Sequence, residues 1–157
     1  MTQVPAPGGQ NTAMDAAPDL TTVSIDRMLP APRDRVYSAL TSPEALLRWW
    51  WPWQPTAVVD PRPGGAYRLT TVHPHAGSMA LYGVYREAIV PARLVYTWRW
   101  EGEEPERQTL VTIDLADRGV ETELSLRHAG FPSESARDDH VRGWTDCLDR
   151  LEAHLLL

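Results

Sequence analysis

The sequence predicts an α+β fold: a curved antiparallel sheet of about seven strands wrapped around a long C-terminal helix, with two short helices after the first strand. Three observations carry this. Between residues 57 and 128 the apolar residues recur with period two, as in strands with one buried face. From Ser133 onward they recur every three to four residues, as in an amphipathic helix. Between the first strand and the strand-rich region lie two short helical patterns broken by Ser42-Pro43.

Residues 1–19, "MTQVPAPGGQNTAMDAAPD", have no apolar periodicity and are expected to form a disordered tail. Residues 20–157 read as one domain. "TTVSIDRML" alternates and gives a first strand, with Val23, Ile25 and Met28 assigned to the buried side. Pro32 suits the first turn of a helix carrying Val36, Tyr37 and Leu40. Ser42 is the expected N-cap of a second helix that starts at Pro43 and ends near Arg48. Strands follow at "TAVVD", which is short, at Ala66 to His73, at Ser78 to Ile89, which is long, and at Leu94 to Trp100, Gln108 to Leu115 and Val120 to His128. The turn "PRPGG" uses Gly64 and Gly65 for positive φ. Leu94, Tyr96, Trp98 and Trp100 share one strand face, as do Val111, Ile113 and Leu115. Val120, Thr122, Leu124 and Leu126 form another such row, with Glu121, Glu123, Ser125 and Arg127 opposite. In the last helix Ser133 is the expected N-cap, and Val141, Trp144, Leu148, Leu151 and Leu155 form the apolar stripe.

Bulk properties narrow the function. A chain of 157 residues with 43% hydrophobic residues can build a core without a disulfide or metal staple. The net charge of -6 disfavours nucleic acid and anionic membranes as partners. No apolar run approaches the roughly 20 residues that span a bilayer, and no signal peptide is visible, so the cytoplasm is the expected location. The single cysteine, Cys147, makes no internal disulfide. All fifteen basic residues are Arg, a bias expected of a GC-rich genome such as an actinobacterial one.

"RVYSALTSPEALLRWWWP", "DPRPGGAYRL", "GVYREAIVPARLVYTWRW" and "TELSLRHAGFPSESARDDHVRGWTDCLDRLEAHL" resemble, in order, the START-related, pollen-allergen-like helix-grip superfamily, also called SRPBCC. Within it they are similar to the domain named after the activator of the heat-shock-protein-90 ATPase. The resemblance spans Leu20 to Leu157 and implies a hydrophobic cavity between the sheet and the last helix. It implies activities from lipid or polyketide binding to ring cyclisation. One branch confers antibiotic resistance by being cleaved in place of DNA by enediynes. Fold alone therefore leaves function open. Where the family often has Trp-Trp-Gly-Pro, this chain has Trp49-Trp50-Trp51-Pro52, which should make the cavity mouth narrower or more aromatic.

The segment "RWWWPW" holds Trp49, Trp50, Trp51 and Trp53. Each ring can bury on the order of 200 Å². Pro52 prevents a regular helix through the segment, and three consecutive rings are not expected to face one core together. The segment is core, cavity wall or protein-docking patch. As ligand-binding residues we take Trp49, Trp50, Trp51, Trp53, Tyr67, Tyr85, Trp98, Trp100, Phe131 and Trp144.

For acid–base chemistry the candidates are Glu87, His128 and His140. Glu87 is read on the face of Tyr85 and Ile89. If that face is concave, its carboxyl sits in apolar surroundings; the commoner alternative is an outer-face position paired with an Arg such as Arg99. His140 lies one turn from Trp144. Cys147 reads as a buried inert thiol. His73 and His75 lack a third ligand at a metal-binding spacing, so no metal is expected, and no cofactor is expected either. Three functions remain: binding of a hydrophobic or aromatic small molecule by a monomer or homodimer, a polyketide cyclase or dehydratase, and self-sacrifice resistance through Gly83 or Gly143.

Overall fold

Local sequence fixes the first boundaries. In the computed structural model, which describes residues 19–157, strand β1 (Thr22–Leu29) leads to helices α1 (Arg33–Thr41) and α2 (Pro43–Trp49). Pro32 stands just before α1, with extended ψ. The Ser42 hydroxyl accepts the Ala45 N–H at 3.3 Å, and Pro43 opens α2, where its missing N–H costs nothing. The expected tail falls almost wholly outside the described residues.

Six strands follow: β2 (Thr56–Val59), β3 (Ala66–His73), β4 (Gly77–Ile89), β5 (Arg93–Trp100), β6 (Thr109–Arg118) and β7 (Glu121–Ala129). The acidic loop between β5 and β6 contains one 3₁₀ turn, Pro105–Arg107. All seven strands form one antiparallel sheet in the order β1-β7-β6-β5-β4-β3-β2, so first and last strands are neighbours. Helix α3 (Glu134–Leu155) is capped by the Ser133 hydroxyl and lies across the curved sheet.

Of the first-strand residues assigned inward, Val23 is buried and Ile25 partly so. Met28 is exposed, and Leu29 is buried in its place as the chain turns into α1. Val120 is also exposed, because it sits in the turn before β7 begins. Thr122, Leu124 and Leu126 are completely buried, as their alternation requires. The two glycines of "PRPGG" serve different needs. Gly64 has φ +85, whereas a Cβ on Gly65 would lie 2.0 Å from the Asp60 carbonyl oxygen. The second glycine provides room rather than handedness.

The core is one cluster in which the inward faces of β5, β6 and β7 meet Leu148, Leu151 and Leu155 of α3 and Val36 of α1. Leu151 is fully buried. Leu151→Ala should therefore cost about 3 kcal/mol through lost burial and an unfilled cavity, measured as a lower denaturant midpoint with unchanged m-value.

Candidate functional site

The tryptophan segment packs more tightly than its sequence suggests. Trp49, Trp50 and Trp51 are all buried, against the expectation that three consecutive rings could not be. Helix α2 ends at Trp49, and the backbone then turns, so the rings leave in different directions and find different neighbours. Trp49 donates its indole N–H to the Ala39 carbonyl at 2.9 Å. Trp50 meets Trp144 edge-on at 5.7 Å. Trp51 stacks on Trp100 at 5.9 Å with 23° between the planes. Arg150 of α3 fixes the segment, donating to the carbonyls of Trp49 (3.0 Å) and Trp50 (2.7 Å). These are carbonyls left without helical partners at the end of α2.

Three elements enclose a groove of about 340 Å³. Trp50, Trp51 and Trp53 form one wall, and Trp98 and Trp100 of β5 a second. The third is the face of α3 bearing His140, Gly143, Trp144, Cys147 and Arg150, with Asp139 and Asp146 at the rim. Six of the seven tryptophans therefore border one space. Cys147 lies in this wall, where burial pushes its thiol up to about 11.

The other predicted ligand residues are elsewhere. Trp49, Tyr67 and Tyr85 line an inner hollow of only about 30 Å³, which Trp50 and Trp98 separate from the groove. The concavity of the sheet is filled by its own aromatic rings, so Trp49, Tyr67 and Tyr85 belong to the core rather than to the groove. Phe131 borders a third hollow of about 70 Å³ on the far side of Trp100 and His140.

Two of the three acid–base candidates lie away from the groove. A β-bulge between Tyr85 and Glu87 places Tyr85 opposite Tyr96 but Glu87 opposite Val95. Alternation is broken by one residue, and Glu87 points away from the concave face. It pairs there with Arg93 at 3.1 Å, with its side chain 45% exposed. His128 is wholly buried. The Trp144 indole donates to its Nδ1 at 2.9 Å. An indole can only donate, so Nδ1 is bare and Nε2 carries the hydrogen, which goes to the Thr109 hydroxyl at 2.7 Å. That hydroxyl donates in turn to the Trp98 carbonyl at 3.4 Å. Burial, with His140 nearby, pushes the His128 pKa down to about 2. Only His140 borders the groove. Sequence reasoning missed Arg150, although its spacing of one turn from Cys147 and two turns from Gly143 places it on the same helical face.

Residues 30–156 match the family described as Activator of Hsp90 ATPase homolog 1-like protein. The chain belongs to this family. Among solved structures, this Hsp90-activator-like chain is 31% identical to a Chromobacterium violaceum protein, with TM-score 0.74 over 85% of this chain and 96% of that one. It is 28% identical to CalU16 of Micromonospora echinospora, with TM-score 0.65 over 85% and 75% of the two chains. An HSP90 activator from Plasmodium falciparum shares the fold at 22% identity and TM-score 0.70, over 86% and 96%. No match was found among curated proteins. The helix-grip architecture expected of the family is present, and no helix among the described residues is long and apolar enough to cross a membrane.

The state of His128 has a measurable consequence. In the unfolded chain a histidine takes up a proton below about pH 6.5, whereas folded His128 stays neutral down to about 2. The stability it contributes is complete above pH 6.5 and is lost progressively as pH falls towards 2. Between pH 6 and 5 the slope from this group should approach about 1.4 kcal/mol per pH unit. His154, whose pKa is also lowered by partial burial, adds in the same direction. Urea titrations over this range should show that slope in the wild type and a shallower one in His128→Gln, despite its lower starting stability.

Proposed function

We propose that the groove binds a flat, largely apolar aromatic small molecule. The observation that carries this reading is the enclosure of one opening of about 340 Å³ by six tryptophans. Its volume is within the range of small-molecule sites, which combine apolar walls with a few polar groups. Indole faces favour flat π-systems through offset and edge-to-face contacts. The family supports the reading through its fold.

A cyclase or dehydratase would need two titratable groups converging on the ligand. With Glu87 on the outer face and His128 sealed in the core, His140 shares the groove with the exposed carboxylates Asp139 and Asp146, the Arg150 guanidinium and the Cys147 thiol, which burial pushes up to about 11. The geometry therefore favours binding over acid–base turnover. A self-sacrifice reading draws on Gly143, which lines the groove with no heavy atom within 4 Å of where its Cβ would stand. Its Cα hydrogens are open to a reactive ligand. Gly83, by contrast, backs onto the Thr97 carbonyl. Incubation with an activated enediyne, followed by intact-mass analysis, should show cleavage at residue 143 on this reading. An intact chain would remove it.

Gly143 also allows a test that separates site from fold. Gly143→Leu directs a side chain into the groove from a position where the Cβ meets no heavy atom within 4 Å. It also replaces the poorest interior helix former except proline, worth about 0.5–1 kcal/mol. The variant should be at least as stable as the wild type in thermal melts. It should also lose the fluorescence quenching and the rise in melting temperature that polycyclic aromatic ligands produce in the wild type. If no aromatic ligand shifts the wild-type melt or quenches its tryptophans, the binding reading fails.

A further inference from the structure

His140 is held in one tautomer by its own helix. Its Nδ1 lies 2.8 Å from the carbonyl oxygen of Ala136, one turn earlier. A carbonyl only accepts, so Nδ1 carries the hydrogen and the neutral ring presents a bare Nε2. The Trp100 indole N–H donates to that nitrogen at 3.2 Å. This pair stands between two spaces: both residues border the tryptophan groove on one side and the hollow of about 70 Å³ on the other.

The charged and titratable neighbours leave Nε2 as the groove's inward acceptor. The imidazole of His128, with ring centroids 5.5 Å from those of His140, has both nitrogens engaged. Asp139 is ion-paired with Arg142, and Asp146 is exposed at the rim. Glu103 and Arg107 border the small hollow and are exposed.

We propose that Trp100 and His140 together select a ligand hydroxyl, so that the groove takes a planar aromatic carrying a phenolic O–H. The inference rests on the binding reading above and names its ligand class. One donor and one acceptor face each other across a single hydrogen bond. A hydroxyl can enter between them, accepting from the indole N–H and donating to Nε2, and leave both satisfied. An ether or ketone oxygen accepts from the indole but strands Nε2 without a donor, at the cost of a desolvated polar group. A plain C–H edge leaves the pair bonded to each other and gains nothing. Discrimination should therefore be greatest against an O-methyl ligand and smaller against an unsubstituted one. No covalent bond changes, and the phenolic proton stays on its oxygen.

The test uses the ¹⁵N-labelled full chain and three probes: 2-naphthol, naphthalene and 2-methoxynaphthalene. Titrations at neutral pH follow the indole N–H resonances. The expected result is that 2-naphthol binds about tenfold tighter than 2-methoxynaphthalene, a ratio matching one stranded acceptor. The Trp100 indole resonance should move most. In His140→Phe, which keeps a ring but has no acceptor, the preference should fall below about threefold. Trp100→Phe, which retains a ring to stack on Trp51, should do the same independently. Equal affinity for the three probes in the wild type would overturn the hydroxyl assignment and leave the binding reading standing. So would a preference that survives both variants. Binding of none of the three would sink both.

Discussion

One neutral imidazole ties the long helix to the sheet. His128 sits on β7, receives a hydrogen from Trp144 of α3 and passes one to Thr109 of β6, whose hydroxyl reaches the Trp98 carbonyl on β5. Four elements meet through a polar chain with no access to water. Such a chain is worth most when every member is satisfied and costs most when one is removed. It also fixes the rotation of α3. With Trp144 anchored, the neighbouring positions His140, Gly143, Cys147 and Arg150 turn towards the tryptophan segment, and the groove exists because of that orientation.

The contents of the sheet's concavity explain why the open space lies at the edge. Tyr67, Tyr85 and Tyr96 pack against one another at 5.3 to 5.7 Å, and Trp49 closes over them. That interior has room for little more than a water molecule. Trp51 stacks on Trp100 and adds an aromatic surface to the mouth. The result is an open groove with aromatic walls rather than a deep chamber.

Much of this was legible in the sequence because it depends on periodicity. The order of strands and helices, the Ser42 and Ser133 caps, and the shared face of Leu94, Tyr96, Trp98 and Trp100 all follow from spacing. Features set by a single backbone irregularity were not. The bulge before Glu87 shifts one residue and reverses the face of everything after it, and no composition signal marks it. Nor could spacing place three adjacent indoles, since the turn after Trp49 depends on Arg150, about a hundred residues away in sequence. Candidate site residues were recognised as aromatic. Their division between an inner hollow and an outer groove depends on how fully the rings fill the sheet, which is a matter of volume rather than pattern.

The pairing of β1 with β7 has a consequence for how the molecule is made. Strands β2 to β6 form a local meander that can assemble as the chain emerges from the ribosome. The first strand has no partner until residues 121–129 are synthesised, and the tryptophan segment has no clamp until Arg150 follows. During that interval the meander shows an apolar face and β1 an unpaired edge, both of them surfaces that favour aggregation. Closure across so many residues is slow on entropic grounds. The nascent chain thus spends its most vulnerable period with its aromatic wall uncovered, and the last helix serves as the lock that ends it.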